Sequence, residues 1–382
     1  MHSAHNVLLK VATLNTWHGL NGRGRFSFGL LESRSERMAR LSSQVQILDD
    51  LSADVIMLQE VNPLPFRAHW YAEKLNKRCM YVSSNVGIKL GWGPPGNLNE
   101  GLAILFPQNW RAEFLGRKRL SGSFRLSPLN ISELSSPFFS FQLHESRVAL
   151  AVRLHLPVEY HLSDFSGAKT ILFVTTHLHH APTFTPRNQQ IFADSIANDG
   201  LSVSEQEHVT RRFRAANSRR LTEVDNLASW IDSLRKPGES VVLGGDFNCE
   251  PDSAPVASLL RRGWLDSWLA SGQNTDLADS ATWNPAENPL AMRMQEFHQK
   301  GSAFSPAVKS LIQKTDSLSR RIDYLFLYPW TRIDTPLVES EMGCSGRLLN
   351  VSRFGTGNLD PRSSTSDNII SDHFGLVARF GY

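Results

Sequence analysis

The sequence predicts an α/β fold, built as one mixed sheet or as two packed β-sheets with helices on the outside. Short apolar runs typical of strands recur along all 382 residues, and amphipathic stretches with helical spacing lie between several of them. The runs at 102–106, 148–156 and 171–175 follow one another without a helical stretch. A purely parallel sheet needs a crossover helix at each step, so this order favours a mixed sheet or two packed sheets.

Eight apolar runs are predicted as strands, because β-branched and large apolar residues are concentrated in each of them. In chain order they are residues 7–14, 55–58, 102–106, 148–156, 171–175, 241–243, 322–327 and 374–380. Polar side chains that could bind a metal ion or carry a proton accompany most of these runs. Strand ends hold such side chains on a rigid sheet where they face solvent, so we expect the functional residues there.

Three helices are predicted, at 34–51, at about 204–234, and from residue 253 or 254 onward. The second helix carries Arg211, Arg212, Arg214, Arg219 and Arg220. These arginines form either a surface that binds phosphate groups or a solvated helix face paired with nearby acids.

Three polar stretches, at 85–99, 116–136 and 343–369, are rich in glycine, proline, serine or asparagine and are predicted as surface loops. Loops of this length in a compact domain are either functional rims or disordered segments.

Composition narrows the classes of function. The chain is 41% apolar and 20% charged with a net charge of +3, which suits a globular enzyme with a phosphate-bearing substrate. The charge falls short of that of a dedicated DNA-wrapping surface. Three widely spaced cysteines without a C-x-x-C motif predict neither a disulfide framework nor a zinc site. With no predicted signal peptide or transmembrane segment, we expect a cytoplasmic monomer.

The same few polar residue types stand at the strand ends throughout the chain. They are Asn15, Glu60, His177, Asp246, Asn248, Asp323, Asp372 and His373. Each alone is most often a turn or helix-cap residue, because Asp and Asn side chains bond nearby backbone N–H groups. Their joint occurrence at successive strand ends instead indicates one site assembled from the whole chain.

The surrounding segments resemble the endonuclease/exonuclease/phosphatase family, which includes DNase I-like nucleases, neutral sphingomyelinases and inositol-polyphosphate 5-phosphatases. The matching segments occur in the family's order: TLNTW, DVIMLQEV, NEGLAIL, SRVALAVRL, VTTHLHH, LGGDFNCEPDS, RRIDYLFL and SDHFGLVARF. The resemblance implies a four-layer α-β-β-α sandwich with its active site at one edge of two packed sheets. It also implies a single domain over 1–382, with family-variable insertions at about 85–99, 116–140, 182–215 and 343–369.

The resemblance implies a metal-dependent phosphoesterase. Asn15, Glu60 and Asp372 would be ligands of Mg²⁺ or Mn²⁺, ions that prefer oxygen donors. Asp246 would position and deprotonate the attacking water, with Asn248 bonded to the scissile phosphate beside it.

Further roles follow from the same resemblance. His373 would stabilise the pentavalent phosphate or act as general acid/base, and Asp323 would fix its tautomer. His177 would contact a phosphate oxygen. Glu100 would orient His177 and Arg147 would contact phosphate, although both residues could simply flank strands at the surface.

The substrate stays open, because this fold hosts several hydrolytic activities. THLHH and ATWNPAENPL are similar to segments of the sphingomyelinase-like branch, which favours a phospholipid or another small phosphodiester. Trp17 and the run from Gln59 to Asn62 depart from the pattern of abasic-site endonucleases. A DNA or RNA nuclease is the alternative, and a catalytically inactive binding module is a remote one.

Overall fold

A computed structural model describes fourteen parts of the chain. They are residues 8–18, 20–21, 29–30, 32–84, 89–90, 100–122, 125–126, 139–142, 146–157, 170–180, 185–292, 305–328, 347–355 and 370–381.

Strands and helices alternate irregularly along these parts. The strands are β1 (Leu8–Asn15), β2 (Leu20–Asn21), β3 (Gly29–Leu30), β4 (Val55–Val61), β5 (Lys77–Ser83), β6 (Lys89–Leu90), β7 (Gly101–Pro107), β8 (Arg111–Ser121), β9 (Arg125–Leu126), β10 (Phe139–Gln142), β11 (Arg147–His155), β12 (Thr170–His177), β13 (Ser240–Asp246), β14 (Leu265–Asp266), β15 (Asp323–Tyr328), β16 (Arg347–Phe354) and β17 (Gly375–Gly381). The helices are α1 (Arg34–Asp50), α2 (Phe66–Lys74), α3 (Pro186–Asn198), α4 (Val203–Leu234), α5 (Ala254–Arg261), α6 (Ser267–Ala270), α7 (Leu277–Ser280) and α8 (Pro306–Asp316).

Two six-stranded mixed sheets form the centre of the fold. The first has the strand order β16-β17-β1-β4-β7-β5, and the second has the order β14-β15-β13-β12-β11-β8. Each contains one parallel pair, β1 with β4 and β12 with β13, among antiparallel neighbours. The predicted α/β class with two packed sheets is therefore confirmed.

The core between the sheets follows from the two-residue period of the strands. Leu9 and Val11 of β1 and Met57 of β4 pack against Phe173 of β12 and Val242 of β13 in one buried cluster. The intervening residues face outward and form separate clusters with the helices, α1 and α2 on the first sheet and α4 and α5 on the second. This alternation builds the four layers that the resemblance implies.

The two longest helices begin at capping boxes. Ser33 accepts from the backbone N–H of Glu36, whose side chain bonds back to Ser33 N, and Ser202 and Glu205 repeat the arrangement before α4. Each box satisfies N–H groups that have no partner within the helix. The three predicted helices are confirmed by α1, α4 and α5, as are the eight predicted strands, with ends displaced by a few residues.

All three predicted loops contain strands. Residues 116–121 continue β8, which pairs with β11, and residues 347–354 form β16 against β17. Both lie at the edge of a sheet, where pairing depends on the backbone of a strand distant in sequence, so local composition did not reveal them. The two-residue strands β6 and β9 lie at 89–90 and 125–126. Apart from these strands and residues 122 and 355, the three stretches lie outside the described residues.

Among the longer elements, the strand β5 and the helices α2, α3 and α8 were not predicted from the sequence. Helix α3 and the start of α4 fall within the stretch 182–215, and their apolar side chains pack against α8 in a small satellite cluster. In the described parts of the chain, no helix is long and apolar enough to cross a membrane.

Candidate active site

Polar side chains replace the apolar inner layer at one end of both sheets. In the parallel pair β12–β13, His177 is the register partner of Asp246, and Asp246 is in turn the partner of Asp323 on β15. In the other sheet, Asn15 is the partner of Gln59. The amide Nδ2 of Asn15 donates to Oδ2 of Asp246 at 3.1 Å and so joins the two sheets.

Gln59 links the sheets one layer beneath these residues. Its Nε2 donates to Thr175 Oγ1 at 2.9 Å and to Thr13 Oγ1 at 3.1 Å, and all three side chains are fully buried. Because buried polar groups are costly unless they are hydrogen-bonded, this layer fixes the position of one sheet relative to the other.

Three residues at the site hold left-handed backbone conformations. The φ angles of Trp17, Glu60 and Asn248 are 53°, 54° and 50°. Glu60 also lies where the pairing of β4 with β7 shifts register between Leu58 and Val61. Such conformations cost free energy in residues other than glycine and are concentrated at functional sites.

The strand ends enclose a cleft of about 200 Å³. Six of the eight residues predicted from the strand-end pattern line it, together with Glu100 and Arg147: Glu60, His177, Asp246, Asn248, Asp372 and His373. Asn15 and Asp323 lie behind the wall, where they contact Asp246 and His373 respectively. The structure thus brings every predicted site residue to one place.

Asp246 lies at the centre of the cluster. Its Oδ2 is 3.4 Å from His177 Nε2 and 3.8 Å from His373 Nε2, while its Oδ1 accepts the backbone N–H of Asn248 at 2.8 Å. Burial and the neighbouring Asp323 carboxylate raise the pKa of Asp246 to about 7. This carboxyl group can therefore exchange a proton near neutral pH.

His373 and His177 carry different charges. Burial alone would lower the pKa of His373, but the Asp323 and Asp246 carboxylates outweigh it and raise this pKa well above its usual value. Burial and then the positive charge of Arg147 hold the pKa of His177 well below its usual value. At neutral pH, His373 is charged and His177 is neutral.

Three carboxylates and a histidine could hold a metal ion beside Asp246. Ligand atoms of His18, Glu60 and Glu100 lie within 4.8 Å of one another. Burial raises the pKa of Asp372 to about 6, with a further contribution from the negative charge of Glu60. A concentration of acidic oxygen donors in one cleft fits a hard divalent cation, which would offset their mutual repulsion.

The Glu60 carboxylate is already held in place by three groups. It accepts from Asn15 Nδ2 at 3.1 Å and from His18 N at 3.0 Å, and His18 Nε2 lies 3.6 Å away. Burial would raise the pKa of Glu60, but His18 and His177 outweigh it and the pKa is lowered. Glu60 is therefore an anion with a fixed orientation. The amide oxygen of Asn15 accepts the Trp17 N–H at 3.0 Å.

Ser371 and Asn248 connect the loops of the site. The Ser371 hydroxyl donates to Asn15 O at 2.6 Å, lies 3.2 Å from Asp372 Oδ1, and accepts the His373 N–H. The Asn248 amide donates to Leu178 O at 3.1 Å. These bonds fix the S-D-H and D-F-N segments relative to β1 and β12.

Arg219 and Arg220 of α4 have structural partners at the edge of the site. Arg219 Nε lies 3.2 Å from Glu223 Oε1, and the fully buried Arg220 donates to His179 O at 3.2 Å. Arg211, Arg212 and Arg214 are exposed.

Six further residues that line the cleft were not assigned a role from the sequence. They are Trp17, His18, His180, Trp283, Arg320 and Ile322. Each stands within three residues of a segment that was recognised (TLNTW, VTTHLHH, ATWNPAENPL or RRIDYLFL), so proximity to these segments was the available signal.

The sequence matches the Endonuclease/Exonuclease/phosphatase family over residues 12–373. No curated protein matches the sequence. Among solved structures, the chain is similar to a humanized D. rerio TDP2 with 14 mutations, at a TM-score of 0.52 and 15% identity, covering 98% of this chain and 99% of that one. The chain is also similar to an endonuclease/exonuclease/phosphatase protein from Bacteroides vulgatus, at a TM-score of 0.52 and 13% identity, covering 98% of each chain.

D. rerio TDP2 in complex with a single-stranded DNA product gives a TM-score of 0.50 at 15% identity, covering 99% of this chain and 100% of that one. At this identity, the likeness to solved structures concerns the fold alone. The family match, in contrast, covers nearly the whole chain and includes every predicted site residue.

The chain belongs to the endonuclease/exonuclease/phosphatase family. It is a phosphoric ester hydrolase with the two-sheet DNase I-like sandwich.

Proposed function

We propose that this protein is a metal-dependent phosphodiesterase in which Asp246 activates the attacking water for in-line attack on phosphorus. The observation that carries the proposal is the environment of Asp246 Oδ2. Asn15 Nδ2, His177 Nε2 and His373 Nε2 lie 3.1, 3.4 and 3.8 Å from this one oxygen, at the wall of the cleft.

Asp246 is suited to accept a proton from water. Its pKa of about 7 allows it to be ionised at neutral pH and still to bind the proton that it removes. The backbone N–H of Asn248 holds Oδ1, whereas Oδ2 accepts from Asn15 Nδ2 and retains a second lone pair for the water. The Asn248 side chain lines the cleft beside it and would donate a hydrogen bond to the scissile phosphate.

His373 supplies a positive charge on the other side of Asp246. Its Nδ1–H donates to Asp323 at 2.8 Å, and because the ring is charged, Nε2 carries a second proton on the side of the cleft. There it would stabilise the negative charge that develops on the pentavalent phosphate, or protonate the leaving oxygen. His177 would contact a phosphate oxygen, Arg147 would add a second cationic contact, and Glu100 would orient His177.

A divalent cation, Mg²⁺ or Mn²⁺, would be held by Glu60 and Asp372 with the amide oxygen of Asn15. When bound, it would neutralise charge on the phosphate and on the leaving oxygen. Ligand atoms of Asp246, Asp323 and His373 also lie within 4.8 Å of one another. We assign that group to proton transfer, because Nδ1 of the charged His373 ring is bonded to Asp323 and its Nε2 faces Asp246.

A small phosphodiester or a phospholipid headgroup is the proposed substrate. The described cleft of about 200 Å³ has room for one phosphate ester and part of its substituents. A nuclease is the second candidate, supported by the similarity in fold to a TDP2 that was solved with a single-stranded DNA product. An inactive binding module is the remote alternative, because all eight predicted residues are present. We further propose a single-domain monomer in the cytoplasm, with the insertions given above.

A substrate panel tests the proposal. The purified protein is assayed on bis-p-nitrophenyl phosphate, lysophospholipid, sphingomyelin, plasmid DNA and single-stranded DNA, with Mg²⁺, with Mn²⁺ and with EDTA. We expect hydrolysis of at least one diester that EDTA abolishes. Asp246→Asn should abolish this hydrolysis. Asp232→Asn, which changes an exposed aspartate on α4, should retain it. Absence of hydrolysis across the panel would favour the binding module.

A further inference from the structure

Arg320 forms part of the cleft wall on the side away from Arg147. In the second sheet the strand order is β15-β13-β12-β11. Arg147 begins β11, on one side of Asp246, and Arg320 lies just before β15 on the other side. Both arginines line the same cleft. A substrate with its phosphate at Asp246 would therefore have one arginine on each side.

Short backbone contacts fix the direction of the Arg320 side chain. Arg320 and Trp283 form an antiparallel bridge, with N–H···O distances of 2.8 and 2.9 Å in the two directions. Next along the chain, Arg321 is buried and paired with Asp266 at 2.7 Å, and Ile322 lines the cleft. Alternate residues of this extended segment thus face the cleft, and Arg320 is one of them.

Trp283 supports the guanidinium group from beneath. The Arg320 Cζ atom is 5.6 Å from the centroid of the Trp283 ring, and the same ring lies 5.3 Å from the ring of His373. A guanidinium group that lies over an aromatic face keeps its N–H groups free. These groups can bind an anion in the plane of the guanidinium. The Trp283 ring thus contacts both the guanidinium group of Arg320 and, edge-on, the imidazole of His373.

The Arg320 side chain has a donor that the described protein does not use. Only 5% of the residue is exposed, and Nε has no hydrogen-bond partner among the residues that the structure describes. Glu250 attracts it electrostatically, and burial raises the pKa of that carboxyl group. A buried donor without a partner, in a side chain that lines a ligand cleft, indicates a site for an acceptor from the ligand.

We infer that Arg320, supported by Trp283, binds a second anionic group of the substrate, a phosphate other than the one that is cleaved. This inference rests on the proposed function and specifies the substrate class of the same site. The preferred substrate then carries a further phosphate beside its scissile ester. That phosphate is either the next group of a nucleotide chain or a phosphate on a lipid-type headgroup.

Two pairs of substrates distinguish a nucleotide phosphate from a headgroup phosphate. The first is the p-nitrophenyl ester of thymidine 5′-phosphate with and without a 3′-phosphate, and the second is glycerophosphoinositol with and without a ring phosphate. We expect the wild type to prefer the doubly phosphorylated member of one pair by about tenfold or more in kcat/KM, as for a charge-assisted hydrogen bond. The pair that shows the preference identifies the source.

Arg320→Gln should abolish that preference, while turnover of the singly charged ester and of bis-p-nitrophenyl phosphate changes by less than about threefold. Arg320→Lys, which keeps the charge but not the planar donor group, should retain part of the preference. Arg235→Gln is the matched control, because its guanidinium also lies over an aromatic ring, that of Tyr328, outside the cleft. Thermal unfolding of each variant shows whether the fold is retained.

No preference in the wild type for either pair, or the same preference in Arg320→Gln, would overturn the inference. So would an equal loss on every substrate by a folded Arg320→Gln, since that indicates a general structural role. These results differ from a failure of the proposed function, in which the wild type hydrolyses none of these esters.

Discussion

Nδ1 of His373 lies 2.8 Å from Oδ2 of Asp323, and both side chains are almost fully buried. The two residues are fifty positions apart in the chain and belong to different sheets, since Asp323 begins β15 and His373 precedes β17. This contact fixes the imidazole so that its other nitrogen faces Asp246. The charge and orientation of His373 therefore depend on Asp323.

Replacing Asp323 with Asn should lower kcat by about 10²- to 10⁴-fold on any diester that the enzyme cleaves, because the ring loses its fixed tautomer and its counter-charge. His373→Ala should cause a similar loss. The kcat of the double variant should be scarcely lower than that of either single variant, because the two residues act as a unit. Fully additive losses in kcat would contradict a coupled pair. Circular dichroism of each variant checks the fold.

Glu60→Ala should chiefly weaken the response to metal, because it removes a carboxylate from the proposed cation site. We expect the concentration of Mg²⁺ needed for half-maximal activity to rise by about tenfold or more, with partial recovery in excess Mn²⁺. Titration of activity with each metal measures this. Asp232→Ala removes an exposed carboxylate outside the cleft and should leave the metal titration as in the wild type. An unchanged metal titration for Glu60→Ala would place the cation elsewhere.

Gly245→Ala should destabilise the fold next to Asp246. A Cβ atom at Gly245 would lie 2.0 Å from the carbonyl oxygen of Thr176 on the adjacent strand, and the residue has a φ of +147°. The clash is with backbone and cannot be relieved by a rotamer change, so we expect a loss of about 2 kcal/mol or more.

Gly200→Ala is the matched control for Gly245→Ala. Gly200 also has a positive φ, +69°, but no atom lies within 4 Å of the added Cβ. The control should lose about 1 kcal/mol from backbone strain alone. Urea unfolding gives both values. Equal losses in the two variants would show that the contact with Thr176 is accommodated.

Glu239→Gln should reduce stability in a pH-dependent way. Arg153 Nε lies 2.6 Å from Oε1 of Glu239, and both side chains are buried. Burial would raise the pKa of Glu239, but the hydrogen bonds from Arg153, the Lys236 N–H and Thr170, with the charge of Arg153, together outweigh it, so the pKa is lowered from 4.5. Without the Glu239 charge, the buried arginine keeps only the partly exposed Glu113 carboxylate, at 3.3 Å, so we expect a loss of about 1.5 to 3 kcal/mol.

The sign of the pH effect follows from the lowered pKa of Glu239. Its contribution to stability is fully present above its ordinary pKa of 4.5 and is lost as the pH falls through the lower value in the folded state. The free energies of unfolding of wild type and Glu239→Gln should therefore converge as the pH falls below about 4.5. A difference that is constant between pH 7 and pH 3 would refute this linkage.

Local pattern was sufficient to predict the central part of this fold. The continuous apolar runs of β1, β4, β12 and β13 and the helical spacing of α1 and α4 are properties of short segments, and they predict all of these elements. For the end of β8 and for β16 the composition instead predicts loops, because the strands that pair with them contribute the stability that their own composition does not indicate. Helix α3 was missed because it depends on packing against α8.

The sequence by itself determined which residues stand at the strand ends, and thereby the family and the class of chemistry. It could not determine which ends meet, because the register between strands is set by backbone pairing over long sequence separations. Only the tertiary structure placed Asp246 between His177 and His373, tied Asn15 to both Glu60 and Asp246, and brought Arg320 to the cleft. Burial in that arrangement, rather than residue type, also sets their charges, since isolated Asp and His side chains would titrate near their ordinary pKa values.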